Sequence, residues 1–189
     1  MKSIMISIQP QWVEKILNGE KTIEIRKTMP KCDLPVKVYI YCTKSFNSLR
    51  RFPNDERFGD LKNKFDITTH NRTSTIPTDI WNGKVVAEFT LNKIEGFSKY
   101  EYDFGALVRH LDLWAGTKGN YPFLIDYLKG QKKGYAWHID NLKIYDEPKD
   151  LSEFSTILHR MKCKESRFTS HLLQRPFQSW GYVEDIEND

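Results

Sequence analysis

The sequence predicts an α+β fold of short strands and a few helices, because two hydrophobic periods alternate along the chain. Apolar and polar residues alternate as in a strand from Thr22 to Arg26 and from Lys84 to Leu91, whereas Gln11 to Asn18 has helical spacing. The chain has 189 residues, enough for one domain with a sizeable core. It contains no internal repeat or low-complexity tract. We therefore expect one domain over residues 1–189.

The first predicted helix covers Gln11 to Asn18. Val13 and Ile16 lie at helical spacing, and Pro10 precedes them at a position where proline favours a helix start. Gly19 then ends the helix, because glycine readily adopts the left-handed conformation that closes a last turn. The chain can therefore reverse sharply into a strand.

The strand after this turn carries unusually many polar groups. Ile23 and Ile25 face one side of the predicted strand. The other side presents a hydroxyl, a carboxylate and a guanidinium, from Thr22, Glu24 and Arg26.

Two interpretations of these charges are consistent with their spacing. In the first, Glu24 and Arg26 pair on a solvated sheet face, and Lys21 complements the negative end of the helix. In the second, the polar groups line a cavity in a small barrel, where the pair orients a ligand and Lys21 contacts it.

The charged stretch resembles a family signature. Gly19, Lys21, Glu24 and Arg26 match the G-x-K-x-x-E-x-R pattern of ASCH domains, which are related to the PUA-type RNA-binding barrel. Further matches follow in order at residues 6–10, 12–18, 38–44, 83–89, 134–139 and 176–183. The resemblance implies a PUA-like β-barrel with flanking helices and an inserted segment.

The resemblance also implies a function, namely binding of RNA or a nucleotide in a polar pocket at the barrel mouth. Lys21 and Arg26 would contact phosphate or carbonyl groups, and Glu24 would accept a hydrogen bond from an exocyclic amine. Tyr41 or Trp180 could stack on a base. The full set of expected ligand-binding residues is Lys21, Thr22, Glu24, Arg26, Tyr41, Lys44, Gln178, Ser179 and Trp180.

A second hypothesis is catalysis, because some ASCH proteins are similar to amidohydrolases of acetylated cytidine or to ribonucleases. Lys21 and Glu24 would then be the catalytic residues. Burial near Arg26 would disfavour the protonated amine of Lys21 and leave it able to activate water. In the amidohydrolases, however, the hydroxyl nucleophile falls where this chain has Glu24. That departure counts against the same reaction.

A third hypothesis treats the chain as a regulatory protein-interaction domain, since ASCH domains resemble parts of transcription coactivators. The strand pattern fails over residues 45–81, which we interpret as an insertion with a helix near Asp55 to Phe65. A protein partner could bind this insertion. We also expect a C-terminal extension at about residues 151–175.

Later segments supply further elements. We predict helices from Ala106 to Trp114 and from Pro122 to Lys129, followed by a strand from Tyr135 to Ile139. We expect Glu88 to be exposed on its strand and His138 to be a surface residue. Tyr41 should face either solvent or the cavity.

The positive charge lies mainly in the first part of the chain. The net charge of the whole chain is +4, but residues 1–51 hold ten basic and four acidic residues, a balance of +6. A second basic run covers residues 159–175. If both runs border the cavity, they would form a surface for phosphates; otherwise they are ordinary solvated faces.

The cysteines and the hydropathy exclude several protein classes. The cysteines Cys32, Cys42 and Cys163 have neither C-x-x-C spacing nor a histidine at metal-ligand spacing, so we expect no disulfide framework, metal or cofactor. We find no signal peptide and no apolar run long enough to span a membrane. We therefore expect a cytoplasmic protein with reduced thiols and no membrane partner.

Overall fold

A computed structural model describes residues 2–44, 82–98, 127–128, 130–131, 133–160 and 167–186. Within these residues, a first strand is followed by an α-helix and then by further short strands. The elements are β1 (Lys2–Ile8), α1 (Pro10–Leu17), β2 (Ile23–Arg26), β3 (Val36–Cys42), β4 (Lys84–Leu91), β5 (Ile94–Ser98), β6 (Lys133–His138), β7 (Asp140–Asp150), a 3₁₀ turn (Leu151–Glu153), β8 (Ser155–Arg160), β9 (Arg167–Leu172) and β10 (Trp180–Glu184).

The strands form two sheets. The seven-stranded sheet has the order β7-β4-β3-β1-β10-β8-β9, and the three-stranded sheet has the order β2-β6-β5. Strand β1 lies at the centre of the larger sheet, where it pairs in parallel with β3 and antiparallel with β10. This mixture of strands with a helix is an α+β fold; closure into a barrel stays a prediction.

The chain divides into two compact units. The first unit comprises Met1–Glu14, Lys37–Phe89 and Lys143–Asp189, and the second comprises Lys15–Val36 and Thr90–Leu142. Among the described residues, no helix has the length and apolar character needed to span a membrane.

The core of the first unit contains both faces of β3. Tyr39 and Tyr41 are buried, as are Val38 and Ile40 on the other face of the strand. Tyr41 therefore does not face solvent, because its ring packs into the core of this unit. Its ligand-binding role stays a prediction. That core cluster consists of Met5, Tyr39, Tyr41, Val85, Tyr145, Phe154, Leu173 and Val183.

The second unit is organised by β6, the central strand of the three-stranded sheet. Each residue from Tyr135 to His138 lies opposite a β2 residue, and the β5 pairs extend from Lys133 to Trp137. Gly134 permits close packing, since a Cβ atom added there would lie 2.5 Å from the ring of Phe97. The sheet is thereby tightly packed on the Phe97 side.

Several predicted elements are confirmed. The predicted helix over residues 11–18 forms one residue earlier, and the strands at residues 22–26 and 84–91 form as expected. The sequence patterns missed β7, and they missed β8 and β9, which lie within the expected C-terminal extension and join the larger sheet. The insertion at 45–81, the helix at 106–114 and most of that at 122–129 lie outside the described residues.

Candidate functional site

The turn between α1 and β2 positions the first candidate residue, Lys21. Gly19 adopts a left-handed φ of 72°, and its amide donates to the carbonyl of Ile16. The amide of Lys21 then donates to the carbonyl of Lys15 over 3.0 Å. These bonds fix the backbone of Lys21 against the helix end, immediately before the strand that carries Glu24 and Arg26.

Lys21, Glu24 and Arg26 form a buried ionic network, which we call the Lys21 cluster. Their exposed fractions are 4%, 7% and 7%. One carboxylate oxygen of Glu24 lies 3.1 Å from Lys21 Nζ, and the other lies 3.1 Å from an Arg26 terminal nitrogen. Lys21 Nζ also donates to the carbonyl of Ile23 over 2.5 Å. The cluster therefore consists of two cations that share one carboxylate.

Burial makes the protonated form of the Lys21 amine less favourable. Desolvation lowers the pKa of Lys21 below its ordinary 10.5, and the attraction of Glu24 opposes this shift without overcoming it. The cations of Arg26 and Lys15 lower the pKa further. The amine of Lys21 thus deprotonates more readily than that of an exposed lysine.

A tyrosine outside the expected set of ligand-binding residues completes the site. Tyr127 is half-buried, and its side chain is hydrogen-bonded to that of Arg26. Desolvation raises the pKa of its phenol, so the phenol stays protonated at neutral pH. The sequence pattern predicted a helix over residues 122–129, and nothing in it identified Arg26 as the partner of Tyr127.

The remaining predicted residues fall into both units. Thr22 belongs to the second unit, where its carbonyl accepts a hydrogen bond from the amide of Ile139 over 2.9 Å. Tyr41 belongs to the first unit and lies in its core. Lys44, also in the first unit, is exposed, and its stem lies against Gly83.

The predicted closing segment also lies in the first unit. Gln178 is exposed, whereas Ser179 and Trp180 are partly buried. The carbonyl of Ser179 accepts a hydrogen bond from the amide of Ser7 over 2.8 Å. Trp180 meets Tyr182 edge to face, with ring centroids 5.6 Å apart. These contacts attach the segment to β1, and its ligand-binding role stays a prediction.

The first unit contains a different polar group, the tyrosine cluster, formed by Tyr39, Glu88, Tyr145 and Asp185. Tyr145 donates to Glu88 over 2.6 Å, and Tyr39 donates to Asp185. Glu88 is only 9% exposed, so the expectation that it is exposed is wrong. Its strand has buried side chains on both faces, and the phenol of Tyr145 satisfies the carboxylate there.

A third polar group lies on the second unit's sheet. His138 Nε2 is 3.0 Å from a carboxylate oxygen of Glu95, and Lys93 Nζ is 2.5 Å from the other oxygen. These contacts lower the pKa of Glu95. His138 is partly exposed, in keeping with its predicted surface position. Within the described part of the chain, no three His, Cys, Asp or Glu side chains are arranged to hold a metal ion.

Comparison with known proteins identifies the fold. No protein-family model matches the sequence, and no curated protein is significantly similar to it. A serine-to-alanine variant of ASCH from Zymomonas mobilis has a similar structure, with a TM-score of 0.50 and 16% identity over 96% of this chain and 88% of that chain. The chain therefore has an ASCH-like fold.

Two related solved structures come from the same bacterial protein. ASCH from Zymomonas mobilis itself gives a TM-score of 0.48 and 18% identity, over 79% of this chain and 73% of that chain. A tyrosine-to-phenylalanine variant gives 0.45 and 18%, over 80% and 77% respectively. At these identities the similarity concerns the fold.

Proposed function

We propose that this chain binds single-stranded RNA or its nucleotides, and that the Lys21 cluster holds an anionic group of the ligand. The observation that supports this most strongly is the burial of two cations that share the Glu24 carboxylate. A closed PUA-like barrel with a polar pocket at its mouth is part of the same proposal. The ligand would enter that pocket.

Within the described part of the chain, the three residues of the Lys21 cluster carry two positive charges and one negative charge. Glu24 supplies one negative charge against the positive charges of Lys21 and Arg26, which leaves a formal charge of +1. Removing such charges from water costs several kcal/mol per ion, by a rough estimate. A phosphodiester carries one negative charge, and its paired oxygens fit the donor geometry of a guanidinium. A bound phosphate would therefore balance the cluster.

Two further features favour RNA over other anions. The ASCH-like fold is shared with a family that is related to RNA-binding barrels, as the sequence resemblance implies. The first 51 residues carry a balance of +6, which would attract a polyanion and make its binding sensitive to salt. A small carboxylate ligand would gain little from this distributed charge.

The direct test is a binding panel measured by fluorescence anisotropy at two salt concentrations. We expect wild-type protein to bind single-stranded RNA, with an affinity that decreases as salt increases. The variants Lys21→Met and Arg26→Met should each weaken binding by about 10-fold or more, because each removes a charge-assisted hydrogen bond. Circular dichroism should verify that both variants are folded.

Lys93→Met is the matched control for these substitutions. Lys93 also belongs to the second unit, but its side chain is 60% exposed, and its partner is the surface residue Glu95. Its removal changes the net charge by the same amount without touching the buried cluster. Absence of RNA binding by folded wild-type protein, or equal binding by all variants, would overturn the proposal.

A second candidate function, hydrolysis of RNA or of modified nucleosides, is favoured by the lowered pKa of Lys21. A neutral amine could accept a proton from an attacking water molecule, and Glu24 lies close enough to pass that proton on. Lys21→Arg separates this function from binding, because arginine keeps the cation but stays protonated. Mass spectrometry should then detect product with wild type and none with Lys21→Arg if the lysine is a base.

A further inference from the structure

One face of the three-stranded sheet becomes more exposed with distance from the Lys21 cluster. Residues directly opposite each other in the sheet share a face, so Glu24 lies beside Trp137, and Arg26 lies beside Tyr135. Trp137 is fully buried, Tyr135 is half-buried, and Lys133, two residues further along the same face, is exposed. The sheet thus opens to solvent beside Arg26.

A glycine leaves space on this open face. Gly96 of β5 lies opposite Tyr135 and is exposed. A Cβ atom added at Gly96 would lie 3.8 Å from the Tyr135 ring, so a side chain here would cover the space beside that ring. The backbone of Gly96 is not in the left-handed region, so its conformation does not require glycine. A glycine inside a strand often marks a place where a ligand approaches closely.

A second aromatic residue and further cations border the same position. Tyr127 is hydrogen-bonded to Arg26, and Lys27 Nζ lies 5.1 Å from the centre of the Tyr127 ring. Lys27 and Lys133 are both exposed. Arg26 is therefore hydrogen-bonded to one half-buried tyrosine, Tyr127, and lies opposite another, Tyr135. The exposed Lys27 directly follows β2, and the exposed Lys133 is the first residue of β6.

We propose that this face is a nucleotide subsite, in which one unpaired base stacks on Tyr135 over Gly96 while Arg26 and Lys133 contact its phosphate. Every base has a π-face that can stack on an aromatic ring, and the adjacent cations attract the phosphate of the same nucleotide. This inference rests on the proposed RNA binding and specifies its ligand as a single-stranded nucleotide with an unstacked base. Tyr127 acts as a positioning residue for Arg26.

The test compares a short single-stranded RNA with the same RNA carrying one abasic position, again by anisotropy. With wild type, removing the critical base should weaken binding by roughly 5- to 150-fold, the range found for stacking of one base on an aromatic side chain. Tyr135→Leu should bind both RNAs equally. Gly96→Leu, which fills the space beside the ring, should show the same loss of discrimination.

Salt dependence separates the phosphate contacts from stacking. Lys133→Gln should reduce the slope of log affinity against log salt by about 0.7, the value for one phosphate contact on a single strand, while discrimination against the abasic RNA persists. Tyr135→Leu should leave that slope unchanged. Tyr182→Leu is the matched control, since Tyr182 is a partly buried strand tyrosine of the first unit with Lys2 Nζ over its ring at 3.5 Å.

The outcomes distinguish this inference from the proposed function. If wild type binds RNA, Lys21→Met does not, and both Tyr135→Leu and Gly96→Leu still discriminate against the abasic RNA, the subsite is wrong and the proposed function stands. If folded wild type binds no RNA, both are wrong.

Tyr127→Phe should weaken binding of both RNAs by the same factor, because it removes the bond to Arg26 and leaves stacking on Tyr135 intact.

Discussion

The two units of this chain each bury a glutamate, but they satisfy it in different ways. Glu24 is held by the buried cations of Lys21 and Arg26, whereas Glu88 accepts a hydrogen bond from the phenol of Tyr145. The amine of the exposed Lys143 lies 3.9 Å from the other carboxylate oxygen of Glu88. The first arrangement keeps a positive charge inside the protein; the second places a carboxylate beside a donor in an aromatic core. The comparison indicates that a buried carboxylate can be satisfied either by buried cations or by a phenol in an aromatic core.

The tyrosine cluster has the properties of a structural network. Hydrogen bonding and burial raise the pKa of Tyr145 well above its ordinary 10.0, so its phenol remains a donor throughout the physiological range. Tyr39 donates to Asp185 and accepts from the amide of Ile186 over 3.1 Å. These bonds attach the end of β10 to β3. By contrast, the Lys21 cluster is held by two ion pairs to the Glu24 carboxylate.

The largest expected difference between the clusters comes from neutralising each glutamate. Glu24→Gln removes the buried charge that Lys21 and Arg26 share and should decrease the free energy of unfolding by about 3–5 kcal/mol. Glu88→Gln retains an acceptor for Tyr145 and should cost about 1 kcal/mol. Urea denaturation of both variants measures the difference. Equal losses would show that the two glutamates have the same role.

A smaller effect is expected from removing the phenol of Tyr145. Tyr145→Phe keeps the ring in the core but deprives the Glu88 carboxylate of a donor 2.6 Å away. The free energy of unfolding should fall by about 1.5–3 kcal/mol, the usual range for a hydrogen bond to a charged group. Tyr182→Phe, at a partly buried site, serves as the control. A loss no larger than that of the control would contradict the assigned role of Tyr145.

The pH dependence of protein stability should reveal the lowered pKa of Lys21. The pKa of Lys21 is lowered in the folded protein, so between that pKa and 10.5 the unfolded chain binds more protons. Wild-type stability should therefore rise with pH in this window relative to Lys21→Met, by at most about 1.4 kcal/mol per pH unit. A difference in the free energy of unfolding between the two proteins that stays constant from pH 7 to 10.5 would contradict the lowered pKa of Lys21.

The smallest expected effect concerns the stability of the protein at acidic pH. Lys37 and Tyr39 lower the pKa of Asp185 below its ordinary 3.8, despite the opposing effect of burial. The stability that this carboxylate contributes is thus present above pH 3.8 and is lost as the pH falls through the lower folded-state pKa. The stability difference between wild type and Asp185→Asn should decrease below pH 3.8. A difference independent of pH would contradict the assignment.

The contrast between the clusters was only partly visible in the sequence. Glycine after a helical repeat and isoleucines alternating with charged residues were enough to predict the turn, the strand and the common face of Glu24 and Arg26. Local alternation carries no information about which strand lies opposite, so the burial of Glu88 by a distant tyrosine was missed. Tyr127 was missed for the same reason, because its partner lies about a hundred residues earlier in the chain.

The missed strands have a physical explanation as well. In β7 most side chains are exposed or partly exposed, and Tyr145 is its buried residue. An edge strand of this kind has little apolar alternation, and Pro148 in its sequence argues against a strand. Its pairing in the sheet is decided by long-range contacts. The central strands β1 and β3, by contrast, are dominated by buried apolar residues.

The most direct test of the account is the RNA affinity of Lys21→Met relative to wild type, with Lys93→Met as the charge-matched control. We predict that Lys21→Met weakens binding of single-stranded RNA by about 10-fold or more, whereas Lys93→Met changes it by less than about 5-fold, as expected for a surface charge. Equal affinity of wild type and a folded Lys21→Met variant would contradict the claim that the buried cluster receives the ligand's anionic group.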